Sequence, residues 1–146
     1  MRLLDTNLCS RIMDADPQVL AHLAKHATDG FCTSIIVQGE LEYMVYRSDR
    51  FAENRIRPDN FLGDLNVFEI DGRTALTYGQ LKADLFDHFG PKDRAARRRF
   101  SLAMLGFAEN DLWIAATALQ HGLTVISSDA DFPRIQQIRS LSLESW

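Results

Sequence analysis

Short apolar runs alternate along this chain with longer stretches of helical periodicity. Runs of strand length fall at Arg2 to Leu4, Gly30 to Ile35, Asn66 to Ile70, Thr124 to Ser127 and, less sharply, Ile138 to Leu143. Between them, Pro17 to His26 predicts a short peripheral helix, with Asp16 as a cap and Pro17 in its first position. Gln38 to Arg47, Arg73 to Phe89, Arg94 to Leu105 and Ala108 to His121 predict further helices, the last ending at Gly122 just before a strand. Strands alternating with helices imply βαβ units, so the expected fold class is α/β, with a central, mostly parallel β-sheet flanked by helices. No internal repeat or convincing linker divides the chain. Gly90-Pro91 is the strongest break and separates two helices, so residues 1–146 are expected to form one domain.

Composition narrows the picture. A chain of 146 residues, 46% hydrophobic and 25% charged, buries enough surface for a core without staples. Cys9 and Cys32 lie in no C-x-x-C and form no disulfide framework, which fits reduced thiols in a cytoplasm. Asp5 stands where a signal peptide needs an apolar run, and no stretch reaches the roughly 20 apolar residues of a membrane span, so a cytoplasmic protein without membrane contact is expected. The formal net charge of -4 argues against nonspecific coating of nucleic acid. Lys92, Arg94, Arg97, Arg98 and Arg99 nevertheless form a local basic run, suited either to a solvated helix face or to phosphate.

In an open α/β sheet, ligands bind beyond the carboxyl ends of the strands, so polar residues just after the apolar runs are the first candidates. Asp5 follows the first run, and Asp129 follows the Thr124 run. Ser34 follows the second and leads toward Glu40. Glu40 is anomalous because its helical neighbours Ile36, Val37, Leu41 and Met44 are apolar, which puts a carboxylate in the stripe expected to face the core. Such a group needs an internal cation or a bound one. Asp111 opens an almost wholly apolar helix, where it could cap the first turn or face a site. Capping could equally account for Asp5. Of the late pair, Asp131 is the better expected cap, because Pro133 then falls in the first turn, and Asp129 is the freer acid.

Asp5, Glu40, Asp111 and Asp129 come from four distant segments that this architecture brings to one sheet edge. Like charges gathered there raise one another's pKa unless a cation neutralises them. Oxygen-only donors favour hard Mg²⁺ or Mn²⁺.

Four segments together carry a resemblance: Leu4-Asp5-Thr6-Asn7, Gly39-Glu40-Leu41, Asn110-Asp111-Leu112-Trp113-Ile114-Ala115-Ala116 and Ser128-Asp129-Ala130-Asp131-Phe132. In that order the chain resembles the PIN domain, in particular the VapC-type ribonuclease toxins, from Met1 to the closing Leu143-Glu144-Ser145-Trp146. The resemblance implies a PIN-like fold and Mg²⁺- or Mn²⁺-dependent endonucleolytic cleavage of RNA. It also implies neutralisation by a cognate VapB-like antitoxin, and homodimers. By position, Asp5, Glu40 and Asp111 correspond to the three central metal-site acids and Asp129 to the more variable fourth. Thr6, Asn7 and Ser128 correspond to polar neighbours of the site. Two departures stand out. Pro91 to Gly106 is longer than the usual connection and carries the Arg run, through which Arg94, Arg97, Arg98 and Arg99 could meet RNA or a partner. Met44 stands where many relatives have a small residue.

Other chemistries find less support. His22 and His26 have the i, i+4 spacing of zinc ligands but lack the Glu of H-E-x-x-H and a third ligand, which favours a solvated helix face. There is no G-x-S-x-G elbow and no P-loop. Two alternatives stay open: a PIN-like module that binds RNA or protein without cutting, and a metal-dependent nuclease acting on DNA.

Overall fold

The computed structural model describes residues 1–49 and 58–146, apart from the Arg94 side chain. Five strands form one sheet: β1 (Arg2–Leu4), β2 (Phe31–Ser34), β3 (Asn66–Phe68), β4 (Thr124–Ile126) and β5 (Ser142–Glu144). Their order is β3-β2-β1-β4-β5, and every pairing is parallel. Parallel strands need crossover connections, and the helices that supply them cover the sheet. This is why Leu3, Leu4, Cys32, Val125 and Ile126 are almost wholly buried. The chain winds outward from β1 in both directions. The crevice between the carboxyl ends of β1 and β4 is therefore the topological switch point where α/β sheets bind ligands.

The helices are α1 (Thr6–Met13), α2 (Pro17–Lys25), α3 (Ile35–Tyr46), α4 (Gly72–Phe89), the single turn α5 (Arg94–Arg97), α6 (Glu109–His121) and α7 (Asp131–Gln136). Residues 58–63 are also helical. The peripheral helix α2 forms as its sequence suggests: Asp16 accepts from the N–H groups of Gln18 and Val19, and Pro17 follows it. α6 runs through the core, with Leu112 and every residue from Ile114 to Ala118 buried, and it stops where Gly122 adopts φ +63°. α4 lies along it. Tyr78 stacks on Trp113 at 3.7 Å between ring centroids, and the Thr77 hydroxyl bonds Gln120.

Three boundaries differ from the periodicity, each for a local reason. The strand run expected to reach Ile35 ends at Ser34, and α3 starts at Ile35, ahead of the expected Gln38, because the Ser34 hydroxyl accepts from the Val37 N–H at 3.3 Å. The helix expected over Arg94 to Leu105 is broken. One turn, capped by Asp93, ends at Arg97, and a separate 3₁₀ turn, Ala103–Leu105, begins with Ser101 accepting from the Met104 N–H. Ile138 is no strand residue: its N–H bonds the Ile135 carbonyl in the turn after α7, and β5 starts at Ser142. His22 and His26 also do more than face solvent. Both stack on the Trp146 indole at 5.4 Å, half-buried under the end of the chain.

Candidate metal centre at the sheet switch point

Register builds the site. Leu4 pairs with Ile126, so the next residues, Asp5 and Ser127, stand side by side at the ends of neighbouring strands. Asp5 turns the chain into α1 as its N-cap, accepting from the Leu8 N–H at 2.7 Å. It also takes a hydrogen bond from Ser127, whose hydroxyl oxygen in turn accepts from the Asp129 N–H at 2.9 Å. One serine thus links two of the predicted acids. Burial is the largest influence on Asp5 and pushes its carboxyl up, and the charges of Asp129 and Glu40 add to that against its hydrogen-bond donors.

Asp111 arrives from the opposite side, in the first turn of α6. The cap position there is Ala108, which offers no side-chain acceptor, so Asp111 is directed to the crevice by a helix start that leaves its N–H groups free. One carboxylate oxygen from each of Asp111, Asp129 and Asp131 lies within 4.8 Å of the others. Burial, and then the charges of Asp129, Asp131, Glu40 and Asp5, push Asp111 up to about 7. Burial and the charges of four other acids thus act together on Asp111.

Asp129 stands in the cluster as expected, but Asp131 is not the cap expected of it and joins the cluster as well. Asp129 accepts from the Asp131 N–H at 2.9 Å and so holds the start of α7, whereas Asp131, the first residue of that helix, is buried and turns into the cluster. Its other partner is the Ala108 N–H at 2.7 Å. Burial raises the Asp131 carboxyl as well, with Ala108 and Arg134 opposing. Sequence reasoning missed Asp131 as a site acid. The signal was there in the pair of acids two apart just beyond a strand, with the second on the opening turn of a helix that starts at the sheet edge.

Glu40 sits on the second turn of α3, half-exposed rather than in the core, beside a Met44 that is 50% exposed. Its carboxylate takes hydrogen bonds from the Thr6 hydroxyl and, at 2.7 Å, from the Asn110 side-chain amide. Among the described residues no arginine pairs with it. Thr6 therefore does neighbour a predicted acid. Asn7 lines the same cleft as Asp5, Ser127 and Asp129. Ser128 lines that cleft too, with its hydroxyl bonded to Ser145 at 2.9 Å. In the basic run, Arg97 is held by Asp87 and by the Pro91 carbonyl, while Arg98 and Arg99 are exposed; the Arg94 side chain lies outside the described residues.

The donor set of the cluster is all carboxylate oxygen, and it includes acids driven toward protonation by burial and then by one another's charge. That combination fits a hard divalent cation, which removes the repulsion and accepts oxygen ligands. The PIN domain family model matches residues 2–138. The chain belongs to the PIN-domain family. It is 28% identical over 148 residues to Ribonuclease VapC2 of Rickettsia felis, covering 99% of this chain and 96% of that protein. It is likewise 28% identical over 145 residues to the tRNA(fMet)-specific endonuclease VapC of Salmonella typhimurium, again covering 99% and 96%. Among solved structures, VapBC2 from Rickettsia felis bound to a DNA fragment from their promoter superposes with a TM-score of 0.79 at 25% identity, covering 99% of this chain and 98% of that one. This PIN-domain chain is thus VapC-like along its whole length. Among its described residues no helix is long and apolar enough to cross a membrane.

Proposed function

We propose that this protein is a VapC-type, Mg²⁺- or Mn²⁺-dependent endoribonuclease, a single-domain cytoplasmic toxin that is held inactive by a VapB-like antitoxin and acts as a homodimer. The observation that carries the reading is the meeting of Asp111, Asp129 and Asp131 at the switch point, with Asp5 and Glu40 beside them. Asp111, Asp129 and Asp131 would hold the cation, with Asp5 and Glu40 completing the acidic edge around it. A divalent ion bound there neutralises the carboxylates, activates water and stabilises charge developing on a phosphodiester. The chain's own part is to hold these groups in place: Ser127 ties Asp5 to Asp129, and Thr6 and Asn110 orient Glu40.

RNA as substrate is supported by the names of the VapC relatives, and an antitoxin partner by the VapB–VapC complex among the solved structures. Arg98 and Arg99, exposed on the connection before α6, are suited to backbone phosphates, while Arg97 is already engaged by Asp87.

The decisive experiment incubates the purified, partner-free protein with total cellular RNA, with Mg²⁺ or Mn²⁺ and with a chelator, beside D111N. Discrete metal-dependent fragments absent from D111N support the assignment. A folded protein that binds Mn²⁺ and cuts no RNA overturns it in favour of a binding role.

A further inference from the structure

Arg134, on α7, carries a guanidinium beside the acidic cluster, 3.7 Å from its helix neighbour Asp131. Its guanidinium lies 3.8 Å from the Phe107 ring centroid and 5.1 Å from that of Phe89. Two of its nitrogens donate to the carbonyls of Leu105 and Gly106, each at 2.7 Å. These carbonyls end the 3₁₀ turn, where a helical segment has no internal donor left, and a planar fork of donors suits the pair. Gly106 takes φ +74°, a backbone conformation that favours glycine. The other end of the same segment is Ala108, whose N–H is held by one oxygen of Asp131, while the second oxygen of Asp131 faces Arg134 at 3.7 Å.

The contacts form a closed circuit. α7 grips the segment from Leu105 to Ala108 at two points, through Arg134 and through Asp131, and that segment leads straight into the first turn of α6 with Asp111. We infer that Arg134 is a positioning residue that clamps this connection and thereby fixes Asp131 and Asp111 at the separation a shared cation requires. The inference rests on the metal-site reading above. It also explains why Asp131, a buried acid among acids, remains turned into the cluster: its second oxygen has a cation to face.

The test is Mn²⁺ titration, followed by the electron paramagnetic resonance signal of free ion, on wild type, R134M and R134K at a temperature well below unfolding. Hydrogen exchange at Ala108 in the metal-free proteins accompanies it. R134M should bind Mn²⁺ about tenfold more weakly or worse, the scale seen for groups that orient metal ligands, and its Ala108 amide should exchange faster. R134K, which keeps the charge but not the fork or the stacking plane, should fall between. If R134M does not fold, R134K carries the same measurements. Wild-type affinity and wild-type exchange in folded variants, with only a lower melting temperature, would reduce Arg134 to a packing residue and overturn the inference. A wild-type protein that binds no Mn²⁺ overturns the metal-site reading itself, and the positioning role with it.

Discussion

Glu40 and Asp111 stand at one edge of one sheet and meet opposite surroundings. Glu40 is reached by two neutral donors, Thr6 and Asn110, on the open side of α3. Asp111 faces other carboxylates across the switch point, and its carboxyl is driven up to about 7. The difference shows that an acidic edge is not uniform. One corner is already satisfied by hydrogen bonds, and the other holds electrostatic stress that a cation relieves. Metal binding and stability should therefore respond more strongly to changes at Asp111 than at Glu40, and the pH dependence should be read at Asp111.

The largest effect expected is on catalysis. D111N should lower RNA cleavage by roughly a hundredfold or more, since even groups that only orient metal ligands cost 10–100-fold; gel assays of metal-dependent fragments measure it. The same variant should melt higher than wild type without metal at pH 8, because a repelling charge is gone. Screening at its partly exposed face keeps the rise to about 3–6 °C. A fall in melting temperature would instead make Asp111 a structural capping residue.

The pH dependence sharpens the contrast. A carboxyl raised in the folded state keeps its proton after the unfolded chain has lost it. The contribution of Asp111 to metal-free stability is thus highest at low pH, falls as pH rises from about 4 toward 7, and levels off above 7. The D111N gain should accordingly shrink toward zero at pH 4. Saturating Mn²⁺, at a hundred times its dissociation constant, should stabilise the wild type by about 2.7 kcal/mol at pH 8. It should do less at pH 5.5, where protons compete for Asp111; calorimetry at the two pH values reads both quantities.

E40Q breaks the comparison from the other side. Cleavage should fall, yet the metal-free melting temperature should move less than in D111N, because the Gln carbonyl still accepts from Thr6. A larger stability change in E40Q than in D111N would reverse the assignment of stress. The smallest effect is expected from R98Q/R99Q, which should weaken RNA binding and lower the slope of log affinity against log salt by up to about 2. An unchanged slope would leave these arginines to the solvent or to a protein partner.

The acids from four segments, the all-oxygen chemistry and the parallel α/β layout were legible in the sequence. Each depends on a local pattern: alternation of short apolar runs with helical stretches, and polar residues just past the runs. Glu40 was read as buried because its neighbours are apolar, but Met44 on the same face is itself half exposed, so helical spacing overstated the core. Asp131 was read as a cap alone because either of two acids flanking a turn can cap it, whereas both acids join the cluster. Only the packing of α7 against the connection before α6 brings Asp131 into it.

By itself, then, the sequence determined the order of elements, their parallel pairing and the candidate acids, since propensity, capping and hydrophobic period act over a few residues. Tertiary structure alone decided which carboxylates face one another, that burial and neighbouring charge act together on Asp111, and that Arg134 reaches the connection between Leu105 and Ala108. Those outcomes depend on distances between separate segments of the chain, set by strand register and helix packing, and electrostatic energy depends on those distances and on burial rather than on sequence separation.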